Sequence, residues 1–254
     1  SSDKTAKVWD AYTGQEIFAL EGHSKIVYSA QFSPDGKSIV TASWDNTAII
    51  WDAYTGQEIF ALEGHSSWVN SAQFSPDGKS IVTASNDNTA IIWDANTGQE
   101  IFALDGHSSW VNSAQFSPDG KTIVTASSDK TAKVWDAYTG QEIFTLEGHS
   151  DYVNSAQFSP DGKTTVTASD DNTAIIWDAN TGQEIFALEG HSDYVKSAQF
   201  SPDGKTIVTA SLDNTAKVWD ANTGQEIFAL DGHSSYVKSA QFSPDGKTIV
   251  TASL

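Results

Sequence analysis

Polar and apolar residues alternate in short bursts along this chain, and no segment keeps an apolar period of 3.6 residues. Residues 22–63 show the pattern. A run rich in strand formers covers 27–33 and stops at Ser33-Pro34-Asp35-Gly36-Lys37, where Pro presets a turn, Asp bonds its own backbone and Gly supplies positive φ. Ser38 to Ser43 (SIVTAS) predicts a second strand, closed by a tight Trp44-Asp45-Asn46 turn. Thr47 to Asp52 (TAIIWD) predicts a third, and Tyr54-Thr55-Gly56-Gln57 turns the chain into a fourth, Glu58 to Leu62 (EIFAL). Four short strands with closely spaced turn signals predict an antiparallel meander.

The pattern then repeats every 42 residues, with Gly-His at 22–23, 64–65, 106–107, 148–149, 190–191 and 232–233, and Trp-Asp in step from Trp9-Asp10 to Trp219-Asp220. Six such units make 252 of the 254 residues, and Ser253-Leu254 return to the register of Ser1-Ser2. A four-stranded meander cannot bury both faces alone, but six standing radially can, each packed on its neighbours. The expected fold is therefore all-β: a six-bladed β-propeller, a single domain over 1–254, with Phe18, Phe32, Trp51 and their copies between blades. The chain starts and ends inside a unit. The last blade is expected to join strands 5–10 and 16–20 to strands 237–243 and 248–253, a two-plus-two clasp that leaves no free edge. A monomeric ring is expected; association of chains into a larger ring is the alternative.

Composition narrows the function. Fourteen lysines and no arginine stand against 33 acids, a net charge of −19, and no basic run offsets it. Nucleic acid and anionic lipid are thus poor partners. Five acids recur in every unit and account for 30 of the 33, so most of the charge belongs to the scaffold. There is no cysteine, and the six histidines fall in six different units without a short-range ligand partner, so neither a metal nor another cofactor is expected. No apolar stretch is long enough to span a membrane and no signal peptide is evident, which points to a cytoplasmic setting. The missing initiator Met and the near-identity of the units suggest a processed, excised or engineered array.

Gly-His at one end of each unit and Trp-Asp at the other, with SPDGK and Ser-x-Asp in every copy, resemble the WD-repeat β-propeller family across all six units. The resemblance implies a hydrogen-bonded His-Ser-Asp-Trp tetrad in each blade. Carried over by position, these are His23, Ser43, Asp45, Trp51; His65, Ser85, Asp87, Trp93; His107, Ser127, Asp129, Trp135; His149, Ser169, Asp171, Trp177; His191, Ser211, Asp213, Trp219; and His233, Ser253, Asp3, Trp9. Only meeting termini can assemble the sixth. Ser, His and Asp also compose a hydrolytic triad. Sixfold copying, the lack of a strained nucleophile elbow and the adjoining Trp favour a structural role, so no enzyme is expected.

Function is then sought in what differs between units: 30 of the 42 columns are constant and 12 vary. The broadest chemical variation falls at the end where the fourth strand passes to the next first strand. One column holds Ile26, Trp68, Trp110, Tyr152, Tyr194 and Tyr236; two residues on come Tyr28, Asn70, Asn112, Asn154, Lys196 and Lys238. A third holds Trp44, Asn86, Ser128, Asp170 and Leu212. The family resemblance implies partner contact through such positions on the top face. Large aromatic residues around a concave mouth suit protein or peptide recognition. Lys196 and Lys238 suggest that a guest combines an apolar anchor with an acidic group. The expected function is a non-enzymatic interaction scaffold; the alternative is a structural or engineered repeat protein without a dedicated partner.

Overall fold

A computed structural model describes residues 1–254 as 24 strands and no helix. The chain opens on a hairpin, β1 (Ala6–Trp9) and β2 (Glu16–Leu20). The first complete blade follows as β3 (Val27–Phe32), β4 (Ser38–Ser43), β5 (Thr47–Asp52) and β6 (Glu58–Glu63). Blades two and three are β7–β10 (Val69–Phe74, Ser80–Ser85, Ala90–Asp94, Glu100–Leu104) and β11–β14 (Val111–Phe116, Thr122–Ser127, Ala132–Asp136, Glu142–Leu146). Blades four and five are β15–β18 (Val153–Phe158, Thr164–Ser169, Ala174–Asp178, Glu184–Leu188) and β19–β22 (Val195–Phe200, Thr206–Ser211, Ala216–Asp220, Glu226–Leu230). A final hairpin joins β23 (Val237–Phe242) to β24 (Ile249–Ser253). Each blade is an antiparallel sheet in chain order, so the six-repeat, all-β propeller architecture predicted above is the one found.

The first strand of each blade packs on the first strand of the next, from β3 through β7, β11, β15 and β19 to β23, which places these strands innermost. Ser, Ala and Gln side chains of β7, β11, β15, β19 and β23, with Val250, Thr251 and Ala252 of β24, line a channel of about 390 Å³. Gln side chains tie successive blades across it: the Phe74, Phe158 and Phe200 amides donate to Gln31, Gln115 and Gln157 Oε1 at 3.1–3.2 Å. Between blades the core is apolar. Val40, Ala42, Ile50 and Leu62 of the first meet Val69, Phe74, Ile81 and Trp93 of the second, all buried. Each large aromatic contributes roughly 4–6 kcal/mol of transfer free energy at about 25 cal/mol per Å² before ordering costs. The Thr-Gly turns belong to this interface too. Gly98 has φ +69°, and a Cβ there would lie 2.9 Å from Phe60 of the preceding blade.

One blade carries a flaw in this packing. Residue 165 is Thr where the other units have Ile39, Ile81, Ile123, Ile207 and Ile249. It is fully buried and its hydroxyl has no hydrogen-bond partner. Thr165→Ile should raise stability by about 1–2 kcal/mol, by removing an unsatisfied hydroxyl and restoring apolar volume. A urea midpoint that stays level or falls would contradict this.

The sixth unit is divided as expected, half at each end, and the two hairpins supply one blade's strands; the division implies ring closure at this seam. Within the structure they stand as separate two-stranded sheets, without the hydrogen bonds from β24 to β1 that would join them. Side chains along the seam are correspondingly uncovered. Trp9 is 55% exposed where Trp51 is 1%, and Val250 is 65% exposed where Val40 is 0%.

Candidate functional site

Each complete blade carries a buried polar knot, and its hydroxyl is not the expected one. His23 Nδ1 meets Asp45 Oδ2 at 2.9 Å, but His23 Nε2 lies 2.8 Å from Thr41 Oγ1, and Trp51 Nε1 donates to that same oxygen at 2.8 Å. Thr41, Thr83, Thr125, Thr167 and Thr209 therefore replace Ser43, Ser85, Ser127, Ser169 and Ser211 at the centre of the tetrads. The serines hold the top turn instead: Ser85 Oγ donates to the Ser67 carbonyl and accepts the Asp87 amide. With Nδ1–H given to the carboxylate, Nε2 must accept; the Thr hydroxyl donates to it and accepts the indole N–H. Every polar atom of the knot is thus used.

The hydrolytic alternative loses its nucleophile, because the serine does not bond the histidine and the threonine that does is fully buried. The carboxylate is strongly held. At Asp213 burial opposes ionisation, but hydrogen bonds from Thr215, His191 and Ser192 outweigh it and bring the pKa down to about 2. Burial also lowers the pKa of His191, which favours the neutral ring that the knot requires.

The sixth tetrad is not assembled. His233 Nε2 reaches Thr251 Oγ1 at 2.7 Å, but Asp3 accepts from Ser1 and Thr5 rather than from His233, and Trp9 lies exposed without a bond to Thr251 or Ser253.

At the top of the blades the structure brings the variable columns together. The residue before each tetrad Asp donates its amide to the aromatic column: Trp44 to the Ile26 carbonyl, Asn86 to Trp68, Ser128 to Trp110, Asp170 to Tyr152, Leu212 to Tyr194 and Leu254 to Tyr236, at 2.8–3.1 Å. The remaining column falls on a β-bulge, because the register slips between Val27 and Ser29 and at the corresponding place in each later inner strand. A bulge leaves its extra residue outside the ladder and re-aims the side chain.

That freedom is used in two ways. Asn70, Asn112 and Asn154 reach sideways and donate to the carbonyls of Val111, Val153 and Val195 in the next blade at 2.8–2.9 Å. They also bond Asn86, Ser128 and Asp170 in their own blade. Lys196 reaches back to Asp170 at 2.8 Å and to Asn154 at 3.1 Å, so its charge is neutralised within the rim. Lys238 forms no ion pair and stays exposed; the residue at the place of Asp170 in the preceding blade is Leu212, which has no charge to offer it.

The aromatic positions are the open ones. Trp68, Trp110, Tyr152, Tyr194 and Tyr236 are 40–54% exposed, and Tyr28 is 60% exposed. Tyr28, Trp44 and Trp68 form a continuous stack, with ring centroids 5.8 and 4.3 Å apart. Ile26 and Leu212 are half-buried beside their columns.

A sequence model for the WD40 family (WD domain, G-beta repeat) matches residues 14–52, 56–94, 98–136, 140–178, 182–220 and 224–254. The chain belongs to the WD40 family. Among characterised WD40 relatives, 45 residues are 42% identical to coronin-7 of Mus musculus, covering 18% of this chain and 5% of that protein. A 33-residue stretch is 52% identical to dynein assembly factor with WD repeat domains 1 of Xenopus laevis, covering 13% of this chain and 8% of that protein. The chain spans less than a tenth of either relative's length, so the likeness is that of one WD40 repeat to another. Domains of this family typically serve as protein-interaction scaffolds and are generally non-catalytic. No helix of this WD40 protein is long and apolar enough to cross a membrane.

Proposed function

We propose that this WD40 protein is a non-enzymatic scaffold that binds a protein or peptide on the rim carrying the variable columns. The observation behind this reading is the chemistry of the variation. Six large side chains, five of them aromatic, occupy one column, although the residue before it varies only among the polar Lys, Ser and Asp, and the five aromatic ones remain 40–54% exposed after folding. Burial does not account for them, whereas Trp and Tyr offer large contact area at small entropy cost in interfaces. The paired groups Asn70, Asn112, Asn154, Asp170 and Lys196 already have partners and act as a rigid floor. The aromatic crown is the contact surface.

A peptide array probed with the parent and with a Trp44→Ala, Trp68→Ala, Trp110→Ala variant tests this. Peptides held by the parent should be lost by the variant while the thermal midpoint shifts by only a few degrees. Equal retention by both proteins, or no peptide held by either, would remove the reading.

A further inference from the structure

The sign of the partner's charge is also written on the rim. Building on the top-face reading, we infer that the arc Trp68–Trp110–Tyr152 receives a basic segment, with a guanidinium or ammonium group laid on the Trp110 ring. Trp110 is 54% exposed, stacks on no other ring and has no cation over it. Its neighbour Tyr152 is 48% exposed and equally free. Exposed indole and phenol faces attract cations through their quadrupole. The rim already shows this within the molecule: Lys196 Nζ sits 5.7 Å from the centre of the Tyr194 ring.

The surrounding charges point the same way. The outer strands end at the top in Glu21, Glu63, Asp105, Glu147, Glu189 and Asp231, all exposed and none in an ion pair. In the chain, Asp105 and Glu147 come five residues before Trp110 and Tyr152, and Asp151 directly precedes Tyr152. The bases of the same sector are engaged elsewhere: Lys130 donates to the Ser150 carbonyl at 2.8 Å, and Lys133 pairs with Glu142 at 2.7 Å. A cation approaching this arc therefore meets aromatic faces inside and unneutralised carboxylates outside, within a field set by a net charge of −19. The guest with an acidic group suggested by Lys196 and Lys238 is disfavoured once Lys196 is spent on Asp170.

Fluorescence anisotropy with three labelled nonapeptides tests the inference: alternating Arg-Gly, Gln-Gly and Glu-Gly, each at about 0.15 M salt, where exposed charges more than about 8 Å apart are screened. The Arg-Gly peptide should bind and the Glu-Gly peptide should not. Trp110→Ala with Tyr152→Ala, which leaves the charge untouched, should weaken Arg-Gly binding about tenfold or more. Asp105→Asn with Glu147→Gln should weaken it less and flatten its salt dependence. A Trp110→Phe variant should retain most of the affinity, which separates loss of the aromatic face from loss of folding. Unchanged Arg-Gly affinity in the double alanine variant would mean diffuse attraction to an acidic chain, and would overturn the inference. Equal or better binding of Gln-Gly or Glu-Gly, lost on the same substitution, would overturn the basic chemistry yet leave the rim as the binding face.

Discussion

Thr125→Val is expected to destabilise the protein by about 2–4 kcal/mol, more than any change at the neighbouring serine. Valine matches threonine in shape, so packing is kept and only the hydroxyl is lost. That hydroxyl accepts Trp135 Nε1 at 2.9 Å and bonds His107 Nε2 at 2.7 Å, in a site without solvent access. Removing it strands an indole N–H and an imidazole nitrogen together, at about 1–3 kcal/mol for each unsatisfied buried group. Ser127→Ala breaks two part-buried bonds, to the Ser109 carbonyl and from the Asp129 amide. Water can replace part of these, and a cost of about 1 kcal/mol is expected. Chemical denaturation of both variants decides between the hydroxyls. If Ser127→Ala proves the costlier, the threonine-centred knot is wrong.

The second large effect contrasts two tryptophans of one blade. Trp135 is 1% exposed, lies in the interface between the second and third blades, and donates into the knot. Trp135→Ala should cost about 3–5 kcal/mol, from lost transfer free energy and the cavity left behind. Trp110 lies in the same blade but on the rim, and Trp110→Ala should change stability by no more than about 0.5 kcal/mol. Binding should respond in the opposite order, with Trp110→Ala losing affinity at unchanged stability. A stability loss at Trp110 comparable to that at Trp135 would assign the crown to the core and leave it no surface role.

Most of the fold was legible because each signal occurs six times. The SPDGK turn, the Thr-Gly turn and the β-branched third strand each have a local cause, and the strand limits around residues 22–63 agree to within a residue with β3–β6. The tetrad hydroxyl was misplaced for an equally physical reason. Thr41 and Ser43 are two residues apart on one strand, share a face, and are constant in every unit, so periodicity cannot separate them. Only the strand's depth decides: Thr41 lies mid-strand opposite Ile49, level with the indole, while Ser43 lies at the end beside the turn. The bulge was invisible for a different reason, since it is a property of pairing between strands. Column 28 and its copies therefore looked like an ordinary continuation of the aromatic column. The sideways reach of Asn70, Asn112 and Asn154 into the next blade followed from that unseen slip.

The bulge has a consequence for how such a surface can change. A residue outside the ladder can be exchanged without disturbing the register on either side of it, and the aromatic position just before the strand enjoys similar licence. Each repeat thus behaves as an interchangeable tile bearing one short chemical label. Shuffling the order of the tiles would rewrite the pattern presented to a partner while leaving every sheet beneath it alone.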